Sequence, residues 1–200
     1  NPNELLESAT DATTTGTARS AEFNTCTNCH QLLNASDAPI SPYHTTHTAS
    51  IRTKHYDDPA TAAFEGYTVN RASETACSDC HNPHFAGVEI NEQWAESAHG
   101  ELTGDGWVHD DWKLANRQAC QRCHTTVGFK NYVTDPANYN PVNNNFSHLT
   151  GLQNETLYCN GCHSDSAFSR RDYPTVRFPS GAEVTLGDDS NLCMACHQGR

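Results

Sequence analysis

The sequence is poor in methionine, in basic residues and in long hydrophobic runs. Only one of its 200 residues is methionine, and Lys and Arg total 12 against 24 Asp and Glu, for a formal net charge of −12. A chain this acidic is not expected to bind nucleic acid or anionic membranes, whereas basic proteins, cations and mineral surfaces remain possible partners. It contains no apolar run that could span a bilayer and no secretory signal. We therefore expect neither a nucleic-acid partner nor a transmembrane segment.

Cysteine, in contrast, is abundant and occurs only in pairs. All ten cysteines fall in Cys-x-x-Cys pairs, and a histidine directly follows each pair. With 12 histidines in 200 residues, chance would give this result about once in a million sequences. The five motifs, numbered in chain order, begin at Cys26, Cys77, Cys120, Cys159 and Cys193.

Two thiols at this spacing can form thioether bonds to the two vinyl groups of one haem, and the histidine then lies beneath the iron as an axial ligand. Zinc knuckles, redox dithiols and disulfides also use such pairs, but five pairs cannot be divided into four-cysteine zinc sites without a remainder. The sequence therefore predicts five haem c groups, numbered like their motifs. The predicted haem-binding cysteines are Cys26, Cys29, Cys77, Cys80, Cys120, Cys123, Cys159, Cys162, Cys193 and Cys196, and the predicted proximal iron ligands are His30, His81, His124, His163 and His197.

Through these five motifs the sequence resembles the multihaem c-type cytochromes; the segments between the motifs resemble that family only loosely. The resemblance implies electron transfer and haem attachment outside the cytoplasm. We therefore expect a signal peptide to have been removed before Asn1, and a mature protein in the periplasm or outside the cell.

Chain length limits the fold. The chain is only 36% hydrophobic. Sharing it among five haems leaves roughly 40 residues for each, and segments that short seldom bury a sufficient core of their own. The haem faces must supply much of the buried surface, so the apoprotein should be largely unfolded. We expect an irregular fold, mostly loop with short α-helices and little β-structure, forming a single domain over residues 1–200 around a chain of stacked haems.

The second axial ligands must come from outside the motifs. Met194 lies inside the fifth motif, where it is poorly placed to cap its own haem, so we predict bis-histidine ligation throughout, from a pool of seven histidines with two to spare. His109, beside Asp110 and Asp111, is equally consistent with a surface role. The candidate distal ligands are His44, His47, His55, His84, His99 and His148.

Spacing distinguishes two of these candidates. His55 precedes Cys77 at almost the same spacing as His99 precedes Cys120, so the two segments look like repeats of one design. Residues 91–100 predict a short helix, capped by Asn91, that ends near His99. The Trp-x-x-Ser-x-His pattern in this helix resembles a distal-ligand helix of several multihaem families.

His84 and His148 are placed differently. His84 stands three positions after a motif histidine, and Pro83 breaks the turn between them, so His84 should reach an adjacent haem. The Cys-His-x-Pro-His pattern resembles that of related cytochromes with this arrangement. His148 lies closer to the fourth motif than His55 and His99 lie to theirs, and it could be a shortened form of the same design.

The first and fifth motifs have no candidate distal histidine shortly before them in the sequence. None precedes Cys26, and none lies between His163 and Cys193, so these irons must take a ligand from across the fold or from another subunit. Some extracellular multihaem cytochromes that the sequence resembles polymerise head to tail through such a bond, and open contacts of this kind make filaments. The resemblance favours a homo-oligomeric extracellular wire, in which residues 1–22 form a flexible or subunit-docking arm. A soluble periplasmic shuttle that donates to a reductase is the alternative.

A haem enzyme is a third possibility, and the motifs argue against it. Catalysis needs an open iron position or a separate substrate site. The pentahaem nitrite reductases usually replace the motif histidine of their active haem by lysine, whereas all five motifs here end in histidine. We expect an electron carrier whose partners are redox proteins or extracellular acceptors. Between the fourth and fifth motifs, residues 173–179 and 182–186 predict a small hairpin turning at Ser180 and Gly181.

Overall fold

The structure is a computed structural model that describes residues 20–30, 54–55, 57, 60–61, 66–81, 88–101, 103–165 and 168–198. Short helices joined by irregular segments make up most of it, which confirms the predicted class of mostly loop with short helices and little sheet. The helices are α1 (Ala21–His30), α2 (Val88–Glu96), α3 (Asp105–His109), α4 (Gln118–His124), α5 (Thr126–Thr134), α6 (Cys159–Cys162) and α7 (Ser190–Met194), with 3-10 turns at Ala115–Arg117 and Pro141–Asn143. The strands are β1 (Val176–Arg177) and β2 (Glu183–Val184).

The chain divides into two compact units. The first comprises Asn1–His81 and Ser147–Gln153, and the second Asn82–Phe146 and Asn154–Arg200. The single haem-stacked domain over residues 1–200 stays a prediction. Within the described ranges, no helix combines the length and the apolar character needed to cross a bilayer.

In the first unit, α1 is fixed at its start. The Ser20 hydroxyl accepts a hydrogen bond from the Phe23 N–H at 3.1 Å and so caps the first turn. Phe23 is buried and lies under the Arg71 guanidinium, 5.7 Å from the ring centre. Of the predicted arm, residues 20–22 therefore belong to the start of an ordered helix, and residues 1–19 lie outside the described residues.

The second unit contains an aromatic and aliphatic core. The Tyr132 and Tyr173 hydroxyls, 2.9 Å apart, are hydrogen-bonded within it, which satisfies two buried polar groups. Cys162 and Cys196, from the fourth and fifth motifs, pack against this core. The core residues are Phe129, Tyr132, Val133, Tyr173, Val176, Leu192 and Ala195.

The predicted hairpin is confirmed. β1 and β2 pair antiparallel, with Val176 opposite Val184. The Phe178 N–H donates to the Ala182 carbonyl oxygen at 2.9 Å, and Gly181 takes the left-handed φ of +86° that the turn requires.

The helix predicted over residues 91–100 is displaced. α2 begins at Val88 and ends at Glu96, so Asn91 lies inside the helix and does not cap it. A tight turn from Ser97 to Gly100 follows, in which the Gly100 N–H donates to the Ser97 carbonyl oxygen at 3.0 Å. His99 is therefore placed by this turn and not by the helix.

Candidate functional site

All five motifs adopt a similar local backbone conformation. The motif histidine donates its N–H to the carbonyl oxygen of the first cysteine in the second, fourth and fifth motifs, at 2.8 Å for His81, 2.9 Å for His163 and 3.0 Å for His197. The first and third motifs lie within α1 and α4. Positions i, i+3 and i+4 of a helical turn share one face. In the second to fifth motifs, whose side chains the structure describes, this conformation therefore brings two thiols and one imidazole to the same side of a single turn.

The cysteine thiols favour covalent attachment. No disulfide joins the cysteines whose side chains the structure describes. Burial, assisted by the neighbouring Cys193 and Cys159, raises the pKa of the Cys162 thiol to about 11. Burial is also the largest influence raising the pKa of Cys77. These thiols are therefore protonated and not joined to one another, so they are available for attachment to a cofactor.

The fourth motif is oriented by the loop that follows it. His163 Nδ1 lies 2.7 Å from the Phe168 carbonyl oxygen, an acceptor, so Nδ1 carries the proton and Nε2 keeps its lone pair. Such a bond fixes the ring of a metal-binding histidine. The Arg171 guanidinium donates to the Asn160 and Gly161 carbonyl oxygens at 3.0–3.2 Å and so holds the Cys-x-x-Cys turn. These contacts match what a haem-iron ligand needs.

The second motif is held by a residue of the first unit's opening helix. The Glu22 carboxylate, in α1, accepts hydrogen bonds from the Cys77 and Ser78 N–H groups, each at 3.1 Å. This arrangement satisfies two N–H groups at the start of the motif turn with one charged side chain. Glu22 and Cys77 are 55 residues apart, and no local sequence signal reveals this contact.

His55 and His81 face each other in the first unit. Their Nε2 atoms are 3.4 Å apart, and their ring centres are 5.7 Å apart. The Tyr67 N–H donates to the Lys54 carbonyl oxygen at 2.8 Å, which fixes the backbone beside His55. A candidate distal ligand thus lies directly opposite the histidine of the second motif.

A second pair forms in the second unit. The rings of His99 and His197 have centres 6.0 Å apart and planes inclined by 67°. Burial lowers the pKa of His99, and the proximity of His197 lowers it further. The neutral imidazole is the form that binds iron. By its ring distance, His99 lies beside the histidine of the fifth motif.

The third motif has aromatic neighbours that sequence reasoning missed. The Trp112 ring stacks on His124 with centres 4.4 Å apart, and Trp107 meets the same imidazole edge-on at 5.8 Å. The buried Gln121 side chain, inside the motif, donates to the Trp112 carbonyl oxygen at 2.8 Å. Burial lowers the pKa of His124, partly opposed by Asp110. The sequence did contain a signal for these contacts, because two of the three tryptophans of the chain lie shortly before the third motif.

The structure shows fewer contacts for the remaining histidines of the chain. His148 is half-buried in the segment that completes the first unit. His109 Nδ1 lies 3.1 Å from the Asp105 carbonyl oxygen within α3. His30 is described only as the last residue of α1, and the side chain of Cys29 is likewise outside the description. The predicted ligands His44, His47 and His84 lie outside the described residues.

Comparison with known proteins identifies relatives of this arrangement. Residues 98–170, which include the third and fourth motifs, match the family described as C-type polyheme cytochrome domain 2. The chain is 31% identical to the C-type polyheme cytochrome OmcB of Geobacter sulfurreducens, across 80% of the chain and 32% of OmcB. It is 30% identical to OmcC of the same organism, across 79% of the chain and 30% of OmcC. The chain therefore spans about a third of the length of these curated relatives, and no solved structure matches it.

Proposed function

We propose that this chain, which belongs to the polyhaem c-type cytochromes, transfers electrons through five haem c groups bound by its five motifs. The shared conformation of the motifs carries the proposal, because two thiols and one imidazole on one face of a turn match the two vinyl groups and the iron of a single haem. The relatives support the same cofactor, since their names describe C-type polyheme cytochromes.

The chain's own residues have distinct tasks in this proposal. When bound, each haem supplies a reversible one-electron couple at its iron. The thiols would hold the macrocycles, and the motif histidines together with non-motif histidines would hold the irons. The bond from His163 to the Phe168 carbonyl oxygen supports this assignment, because it engages Nδ1 and leaves Nε2 for binding iron. If histidines hold each iron in this way, no iron would be open to substrate, so we propose a carrier and not an enzyme.

The charge of the chain favours low reduction potentials. Bis-histidine ligation gives lower potentials than histidine–methionine ligation. A net charge of −12 stabilises the more positive ferric state and acts in the same direction. The redox partners we propose are proteins or extracellular acceptors that operate at low potential.

We propose an extracellular location and a polymeric, head-to-tail assembly, with a soluble periplasmic shuttle as the alternative. The fifth iron, one of two without a histidine just upstream, has His99 nearby within its own unit. Because His99 can serve the fifth iron, a ligand donated by a neighbouring subunit would serve the first haem. Negative-stain electron microscopy of the native preparation tests this directly. We expect uniform thin filaments; dispersed monomers would favour the shuttle.

The electron-transfer function is tested on the purified holoprotein. A pyridine haemochrome assay should give five haems per chain. The ferric protein should be entirely low-spin by electron paramagnetic resonance, and all five haems should be reduced and reoxidised reversibly. A high-spin fraction that binds cyanide or nitrite at once would instead indicate an open iron and a haem enzyme. A haem count below five would contradict the assignment of the motifs.

A further inference from the structure

We propose that His99 is the distal ligand of the fifth haem and that His55 is the distal ligand of the second. This inference rests on the proposed function, and it adds which histidine serves which iron. The two pairs lie in different units, so each is carried by its own geometry. His55 and His81 are 26 residues apart in the sequence, and His99 and His197 are 197 − 99 = 98 residues apart.

The separation of His99 and His197 matches two ligands of one iron. Two imidazoles on opposite sides of one metal have ring centres about 6 Å apart, given metal–nitrogen bonds of about 2.0 Å, as for zinc, and about 1.1 Å from each nitrogen to its ring centre. The observed separation is 6.0 Å. Direct stacking would bring the ring centres closer, as in the 4.4 Å contact of Trp112 with His124. The separation of His99 and His197 thus fits two ligands of one iron, and it also lies within the range of an edge-on ring contact such as that of Trp107 with His124 at 5.8 Å.

Hydrogen bonds to residues outside the fifth motif fix the position of the turn that carries His99. The Ser97 hydroxyl donates to the Trp94 carbonyl oxygen at 2.6 Å and accepts from the His99 N–H at 3.3 Å. The Leu157 N–H donates to the His99 carbonyl oxygen at 3.1 Å, and the Trp94 indole N–H donates to the Leu157 carbonyl oxygen at 2.8 Å. These bonds tie the turn to the extended segment before the fourth motif. His99 is thus held independently at a fixed site beside His197.

The spacing of His55 and His81 also fits two ligands of one iron, although these two rings lie closer together. Their ring centres are 5.7 Å apart, and their Nε2 atoms face each other at 3.4 Å. Coordination to one iron needs a nitrogen separation of about 4 Å, twice a metal–imidazole bond of about 2.0 Å. The rings must therefore separate by only about half an ångström to coordinate one metal. Because Nε2 faces Nε2, the coordinating atoms already point at a common centre.

Methionine substitutions in the holoprotein test both pairings. Methionine keeps an iron six-coordinate, so the variant can mature even if alanine cannot. In His99→Met we expect one haem in five to become histidine–methionine ligated, with the weak near-infrared band of that ligation and a raised potential. His55→Met should do the same for a different haem, and His55→Met/His99→Met should convert two. The matched control is His109→Met, which should leave all five haems bis-histidine.

A background without the fifth haem identifies the iron. In Cys193→Ala/Cys196→Ala the fifth haem is not attached, so adding His99→Met should produce no near-infrared band, whereas adding His55→Met should still produce one. If the band of His99→Met persists in this background, His99 serves another haem and the pairing is overturned. If the four-haem protein does not mature, a structure of the His99→Met holoprotein tests the pairing instead. The sulfur of the introduced methionine must then bind the iron of the fifth haem.

The outcomes separate this inference from the proposed function. Unchanged bis-histidine spectra in His99→Met and His55→Met would overturn the pairings, and would show that each pair is only a contact between imidazoles, while five reversible haems would leave the electron-transfer function intact. A wild-type haem count below five would instead contradict the proposed function, whatever the variants do.

Discussion

Two segments with nearly the same spacing in sequence lead to different partners in space. His55 precedes the second motif and lies opposite the histidine of that same motif. His99 precedes the third motif at almost the same spacing but lies beside the histidine of the fifth. Equal spacing in a multihaem chain therefore predicts that a histidine is available, and does not predict which haem it faces.

The third motif and the turn at His99 have different neighbours. The imidazole of His124 is already in contact with Trp112 and Trp107, which α3 and the following turn place against it. The turn at His99 is bonded instead to Leu157. Closing the longer loop, from His99 to His197, costs about 1 kcal/mol more in chain entropy than closing the loop from His55 to His81. Fixed contacts such as those of Leu157 and Trp94 offset that cost for the longer pairing.

Removing one haem from each unit should give the largest contrast. In Cys193→Ala/Cys196→Ala we expect the second-unit core to lose about 3 kcal/mol of stability, because Cys196 packs on that core and the loss resembles a large cavity. Hydrogen exchange at α5 and α7 should accelerate correspondingly. In Cys77→Ala/Cys80→Ala the acceleration should fall on α1 and the second motif. Equal acceleration of both regions in both variants would contradict a separate role for each pair.

The next largest effect should come from the turn that positions His99. In Gly100→Ala the new Cβ would lie 2.5 Å from the Trp94 carbonyl oxygen and 2.9 Å from Trp94 Cε2, so the turn must shift. We expect a loss of about 1–3 kcal/mol in the free energy of unfolding, and a high-spin signal from up to one haem in five. Chemical denaturation and electron paramagnetic resonance measure the two effects.

The control for this variant is Gly106→Ala, whose Cβ meets nothing closer than Trp112 Cζ2 at 3.9 Å. It should leave the spin state unchanged and should raise the free energy of unfolding by about 0.5–1 kcal/mol, because alanine is favoured over glycine within helix α3. A destabilised Gly100→Ala protein whose haems all remain low-spin would show that the turn moves without releasing the iron. That result would weaken the assignment of His99.

We expect a smaller effect in the first unit, where the Glu22 carboxylate holds the start of the second motif. Glu22→Gln keeps the shape of the side chain, but it removes the charge and replaces one of the two acceptor oxygens by a donor NH2, so only one of the bonds from the Cys77 and Ser78 N–H groups can remain. We expect a loss of about 1–2 kcal/mol in the free energy of unfolding, because one hydrogen bond is lost and the other is no longer to a charged group. Thermal unfolding measures it, with the exposed Glu74→Gln as control. No difference between the two variants would mean that Glu22 does not hold the second motif.

Sequence reasoning could predict the features that depend on local chemistry. The motif turns follow from the fixed distance between two vinyl groups and an iron, and the hairpin follows from alternating residues around Gly181. That His55 and His99 lie beside motif histidines agrees with their prediction as distal ligands, whose roles stay predictions. The start of α2 was predicted too late in the chain, because Asn91 suits a cap but is also tolerated inside a helix.

The remaining features depend on contacts between distant segments. The bond of Glu22 to Cys77 spans 55 residues, and the bond of Trp94 to Leu157 spans 63. Each uses a backbone group that almost every residue possesses, so side-chain identity gives no signal for it. The choice of His197 as the neighbour of His99 follows from such bonds. It therefore could not be read from spacing alone.

The smallest predicted effect concerns one of those long-range bonds. Trp94→Phe keeps an aromatic ring under Gly100 but removes the N–H that donates to the Leu157 carbonyl oxygen at 2.8 Å. We expect a loss of about 1 kcal/mol and roughly fivefold easier displacement of His99 by added imidazole, followed optically, since about 1.4 kcal/mol corresponds to tenfold. The control Thr103→Val removes only an exposed bond to Glu101. Because Trp94 belongs to the second unit and His55 to the first, the haem of His55 should respond to imidazole identically in both variants; a matching increase at that haem would mean that Trp94 acts on general stability and not on the longer pairing.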